Sequence, residues 1–141
     1  MNNMKKNFWL WIIPGAVLVF ILNIACHFLY MVFYGYVINP GQESVVYEQH
    51  ALTSAPYASF IVGFPAMLLM CWWIGKKAPA NLKLTAAVLT WLVVVLIDLS
   101  IVAALGEYSS IMLLFAISYA PYFIAAYVGA KIAGGRVKEQ A

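Results

Sequence analysis

The chain has 141 residues, of which 65% are hydrophobic and only 9% charged, with a mean hydropathy of +0.90. Ordinary soluble domains carry about 25% charged residues, so a water-soluble fold could not cover its surface with what this chain has, and the excess apolar area must face lipid. The formal net charge of +3 matters less than its placement.

Four apolar stretches follow one another, each near the ~20 residues needed to span a 30 Å hydrocarbon core. Behind the basic start Met1–Lys6, the first runs from about Phe8 to Tyr34. An outer connection of about 36–55 follows, with a turn at Asn39-Pro40-Gly41 and a short surface helix between Glu43 and Leu52. The second span covers about 56–74, capped by Ser54 and stopped near Gly75, Lys76-Lys77 and Pro79. The third covers 84–105, with Asn81 as its cap, and the fourth 111–132, capped by Ser109 or Ser110. The link Gly106–Ser109 is short enough to make the last two antiparallel neighbours. Backbone amides in hydrocarbon need internal partners, and no alternating β-barrel pattern is present. The expected fold is therefore an all-α integral membrane protein, one domain over 1–141 forming an antiparallel bundle of four transmembrane helices.

Charge sets the expected orientation. All eight Lys and Arg fall in the N-terminus (Lys5, Lys6), the second connection (Lys76, Lys77, Lys83) or the C-terminal segment (Lys131, Arg136, Lys138). Four spans put these three segments on one face, which random assignment would do about once in a hundred trials. The other face carries Glu43, Glu48 and Glu107. By the positive-inside rule both termini are cytoplasmic, in a multi-pass protein of the cell membrane, a bacterial inner membrane being expected. Trp9, Trp11, Trp72 and Trp73 fall at the inner interface, and Tyr34, Tyr36, Tyr57 and Tyr108 at the outer one. The first apolar run exceeds the 7–15 residues of a signal peptide, so it is read as a retained helix.

Asp98 is the acidic residue inside a span, among Val93–Ile97 and Leu99. A charged Asp there costs about 2.5–3.5 kcal/mol of insertion, so it calls for a partner, a cavity or a proton. On the first helix Asn23, His27, Tyr30 and Tyr34 form one stripe by their spacing of four, three and four. Counting inward from the aromatic belts puts His27 level with Asp98, with Ser118, Tyr119 and Tyr122 of the fourth helix nearby. The expected candidate site is a polar layer between helices one, three and four, centred on Asp98 and His27. An interhelical hydrogen bond that only ties the helices is the competing account, worth about 0.6 kcal/mol on average.

Proline and glycine interrupt the helices at Pro14-Gly15, Gly63-Phe64-Pro65 and Pro121, as in transporters whose broken helices line binding sites. Two small-residue stripes, Ala125/Gly129/Ala133 and Ala126/Ala130/Gly134, allow close helix approach, within the bundle or between two copies. Cys26 and Cys71 differ in depth by more than 10 Å and read as buried apolar residues, out of disulfide reach. No catalytic, nucleotide or metal motif occurs, no metal or cofactor is expected, and the scattered basic residues do not form a nucleic-acid surface. In size the chain resembles the small four-helix multidrug exporters, which carry a membrane-embedded Glu in their first helix; this first helix has none. The leading expectation is an accessory, structural or interaction subunit, with lipid, a homodimer or a larger complex as partners; a membrane-embedded enzyme with Asp98 and His27 as its acid–base pair ranks a distant third. The alternative is a small-molecule or ion binding or transport protein using Asp98 with His27.

Overall fold

The computed structural model describes residues 7–105 and 110–134, with side chains over 8–101, 103–104 and 119–134. Among the described residues it is all helical. Four helical rods follow in order: α1 (Phe8–Ile38), α2 (Ser44–Lys77), α3 (Lys83–Leu105) and α4 (Ser110–Gly134). The first three contain stretches long and apolar enough to cross a membrane. The N-terminal part of α4 has no described side chains, so the expected span 111–132 lies partly outside the described residues.

The largest departure from the sequence reading is in α2. The expected outer connection 36–55 shrinks to Asn39–Glu43, because α2 begins at Ser44 and runs unbroken for 34 residues to Lys77. Ser54 is therefore no cap; it lies inside the helix. Pro56 sits within this rod rather than at its start. Weak amphipathicity over Glu43–Leu52 pointed to a separate surface helix, but Ser44 to Ala58 contains no residue that forces a break. Likewise α1 reaches Ile38, beyond the expected Tyr34.

Both α1 and α2 widen into a π-helical turn, and each turn ends two residues before a proline. Pro65 has no N–H, and its ring would press on the carbonyl four residues earlier. The helix accommodates it by opening one residue wider just upstream, over Ser59–Gly63, where the Phe64 amide reaches back to the Ser59 carbonyl. At the end of α1 the turn Tyr34–Ile38 closes on Asn39 N–H to Tyr34 O at 2.9 Å, just before Pro40 stops the helix. Gly41 then turns the chain at φ +79°, where a side chain would be strained.

Packing is closest between the C-terminal part of α2 (Phe64–Lys77) and α4, followed by α3 with α4. Ala125, Ala126 and Ala130 are buried in one cluster with Met67 and Cys71 of α2, and Ala133 is buried against Gly75. A Cβ on Gly129 would lie 2.9 Å from the Trp72 amide nitrogen and against the Leu68 carbonyl oxygen, so backbone meets backbone here. The small-residue stripes thus pack within the chain. Trp91 Nε1 donates to the Tyr119 carbonyl at 3.1 Å, tying α3 to α4 two residues before Pro121. Cys71 is buried and Cys26 half-buried, both with free thiols.

The basic end is one place. Phe8 and Ile12 pack with Ile74, Ala78 and Ala86. Lys77 lies 4.1 Å and 3.8 Å above the rings of Trp11 and Trp73, which meet edge-on at 5.0 Å. Lys83 Nζ donates to the Ala133 carbonyl at 2.9 Å. The start of α1, the α2–α3 connection and the end of α4 therefore share one end of the molecule. From that end α1 and α2 have 31 and 34 residues against 23 for α3. At 1.5 Å per residue they are longer by about 12 Å and 16 Å.

Candidate functional site

The polar stripe of α1 meets α2. Antiparallel pairing sets its four rungs at intervals of one turn. Asn23 Nδ2 donates to Ser59 Oγ at 3.1 Å, and His27 Nε2 lies 3.1 Å from Ser54 Oγ. Tyr30 Oη lies 2.9 Å from His50 Nε2, and Tyr34 stacks on the His50 ring at 3.7 Å between centroids. Beyond them Tyr47 Oη donates to the Asn39 carbonyl at 2.8 Å and accepts from the Gln42 amide at 3.1 Å. The half of the α1–α2 pair away from the basic end is thus joined by side-chain hydrogen bonds and stacked rings.

Asp98 lies elsewhere. It is half-buried on α3 and faces Tyr119 and Tyr122 of α4 closely enough for direct electrostatic interaction. No hydrogen bond or ion pair joins Asp98 to His27, whose neighbours are Ser54 and His50. Depth explains the separation. Asn23 is fifteen residues along from Phe8, and Asp98 fifteen from Lys83, so each stands about 22 Å from the basic end. His27 is one turn further out. The expected meeting of His27 with Asp98 is replaced by a level containing Asn23.

Between Asn23 and Asp98 stand Ser59 and two tyrosines. Ser59 is buried, and its hydroxyl, engaged by Asn23, lies beside the Tyr122 hydroxyl without completing a hydrogen bond to it. Tyr122 is only 2% exposed, its hydroxyl has no partner, and it is pressed against Gly63 so closely that any Cβ there would overlap it. Asn23 Oδ1 is likewise buried without a partner. The π-helical turn Ser59–Gly63 supplies both the Ser59 hydroxyl and the room for Tyr122. The resulting row, Asn23–Ser59–Tyr122–Tyr119–Asp98, crosses all four helices. The side chain of Ser118, also expected in the layer, lies outside the described residues.

No family model, curated protein or solved structure matches this chain. The geometry has to carry the functional reading unaided.

Next to the row, a half-open cavity of about 410 Å³ lies between α1 and α2. Cys26, Tyr30, His50, Ser54, Tyr57 and Ile61 are among its lining residues. Its deepest residue on α1, Cys26, is three positions from Asn23, about 4.5 Å along the helix. Of the residues expected in the polar layer, Asn23, Tyr119, Tyr122 and Asp98 fall along this row, while Ser59 and Ser54 were not among them; both are small hydroxyl residues, and for Ser54 it is the continuity of α2 that places it beside His27.

The oxygen atoms of this row (a carboxylate, phenol and serine hydroxyls, an amide carbonyl) suit a proton or a hard cation. Buried polar groups without partners are costly, and more so where no water competes. Such groups cluster where a ligand completes them.

Proposed function

We propose that this protein is a small membrane binding or transport protein that takes up a proton or an alkali cation at the row Asn23–Ser59–Tyr122–Asp98. One observation carries the reading: two buried polar atoms, Asn23 Oδ1 and Tyr122 Oη, without partners in a row that leads to an intramembrane carboxylate. Intramembrane acidic residues are expensive and mark ion and proton pathways. The π-helical turn at Ser59–Gly63 adds support, since such turns are frequent at functional sites. His27 takes no direct part; with Ser54 it holds α1 against α2.

In this reading the chain forms an antiparallel four-helix bundle in a bacterial inner membrane, with both termini cytoplasmic. The gathering of Lys76, Lys77, Lys83 and Lys131 with Trp11, Trp72 and Trp73 at one end supports this orientation. A cysteine placed at Gly41 should react with an impermeant thiol reagent in intact cells, and one at Ala80 only after permeabilisation. The reverse pattern overturns the orientation.

The test of function is flux in proteoliposomes loaded with a pH-sensitive dye, or with a sodium- or potassium-sensitive one, under an imposed membrane potential. Wild-type protein should carry protons or one of the two cations above the level of protein-free vesicles. Asp98→Asn should abolish that flux while leaving helical content unchanged. Wild-type flux equal to empty vesicles for all three ions defeats the proposal.

A second reading, the accessory or interaction subunit, is favoured by α1. This is the least buried of the three spans, exposing Ile13, Leu18, Ile21, Ile24, Phe28 and Leu29. That surface fits lipid or the helices of a larger complex. A stoichiometric partner recovered from mild detergent, with no ion flux, would favour it.

A further inference from the structure

A second concave site lies at the basic end, remote from Asp98. Leu68, Leu69, Trp72 and Lys76 of α2 line one wall, and Lys83, Ile132 and Ala133 the other, around about 450 Å³. We propose that this groove binds one anionic phospholipid of the surrounding leaflet, its phosphate between Lys76 and Lys83 and its acyl chain along Leu68, Leu69 and Ile132. The site requires only that the helices sit in a membrane, and holds whether or not Asp98 carries an ion.

The two ammonium groups are held in place by different contacts. Lys83 Nζ is fixed at 2.9 Å on the Ala133 carbonyl, in the last turn of α4, where a cation also suits the helix dipole. An ammonium has three donors, and this contact uses one. Lys76 Nζ lies 3.7 Å above the Trp72 ring. No acidic residue stands at this end among the described residues; Glu43 and Glu48 belong to the opposite end of α2 and Asp98 to the interior of α3. Two cations with no carboxylate between them complement a phosphate, and basic pockets between helices at the cytoplasmic surface are known lipid headgroup sites.

The lower part of the groove fits a hydrocarbon chain. Leu69 is 58% and Ile132 52% exposed, so the groove opens sideways to lipid rather than into water. From Lys76 back to Leu68 is eight residues, about 12 Å, most of the roughly 15 Å hydrocarbon depth of one leaflet. Trp72 bridges the two regions, an amphipathic ring at headgroup level. A free anion would use the lysines and leave the leucine-lined floor uncovered, so the lipid is the better occupant.

The test is thermal unfolding of the detergent-purified chain with added phosphatidylglycerol, phosphatidylcholine or inorganic phosphate, together with native mass spectrometry of the protein released from mixed-lipid nanodiscs. Phosphatidylglycerol should raise the unfolding temperature and persist as a single adduct. Each of Lys76→Gln and Lys83→Gln should weaken its binding about fivefold, the fold-change equivalent to about 1 kcal/mol per basic residue. Lys131→Gln removes a lysine from the same end but outside the groove, and should leave binding unchanged. Should a glutamine variant fail to fold, Leu69→Ser, which alters only the chain-binding floor, should reduce retention of the lipid without affecting any response to phosphate. Equal shifts with phosphatidylcholine would overturn the charge argument. Equal shifts with inorganic phosphate would replace the lipid by a simple anion site, and Lys131→Gln matching Lys83→Gln would reduce it to diffuse surface charge.

Discussion

Gly129→Ala should be among the most destabilising conservative changes in this chain. The added methyl would stand 2.9 Å from the Trp72 amide nitrogen, 3.1 Å from Cys71 Cβ and closer still to the Leu68 carbonyl. Two of these three are backbone atoms, so no rotamer change relieves the contact and α2 must separate from α4. Separation loosens Ala125, Ala126, Ala130 and Met67, all nearly inaccessible in the native packing. Overpacking typically costs 1–3 kcal/mol, and a backbone-limited case belongs at the top of that range, about 3 kcal/mol. Gly134→Ala is the matched control. It lies at the end of the second small-residue stripe, has nothing within 4 Å, and should be neutral or stabilising by up to about 0.5 kcal/mol from the better helix propensity of alanine. The assay is equilibrium unfolding in mixed micelles, followed by circular dichroism, with oligomeric state checked by mass. Unchanged stability of Gly129→Ala would refute the intrachain packing. If that variant instead converted a dimer to a stable monomer, the stripe would belong to an interface between copies.

Other substitutions probe the polar rows. Tyr30→Phe removes the hydroxyl that meets His50 and should destabilise by about 0.6 kcal/mol, and by no more than about 1.7; an increase in stability would exclude the contact. Ser59→Ala deprives the part-buried Asn23 Nδ2 of its acceptor and should cost about 1 kcal/mol, read from the same unfolding curves. Gly63→Ala drives a methyl into the Tyr122 ring as well as its hydroxyl, so its penalty should shrink when combined with Tyr122→Ala, which removes the whole ring. Strict additivity in that double-mutant cycle would disprove the contact. Trp91→Phe keeps the edge contact with Phe123 at 5.2 Å but loses the bond to the Tyr119 carbonyl, for an expected loss of about 1 kcal/mol.

The missed extent of α2 shows how the sequence reading reached its limit. Ser54 and Pro56 both favour helix starts, so either could end a loop or sit harmlessly inside a helix. What extended the helix to Ser44 was a set of partners on α1, His27 for Ser54 and Tyr30 and Tyr34 for His50. A propensity at one position carries no information about such partners. The same applies to depth. Belts of tyrosine suggested that His27 and Asp98 were level, but two members of that belt differ in height by about 9 Å, Tyr34 being twenty-six residues from Phe8 and Tyr57 twenty from Lys77.

The sequence alone showed a chain apolar enough for lipid, with four expected spans, and lysines placed beside tryptophans along it; among the described residues three helices are long and apolar enough to cross a membrane. These are properties of composition along a segment, because transfer from water to hydrocarbon adds residue by residue. Only the tertiary structure decided that the α1 stripe faces α2, that Asn23 rather than His27 shares a level with Asp98, and that the glycine of one stripe is buried while that of the other is open. Those outcomes depend on the rotation of each helix about its axis and on its length beyond the membrane. A periodicity of 3.6 defines a face, but the neighbouring helices choose where that face points.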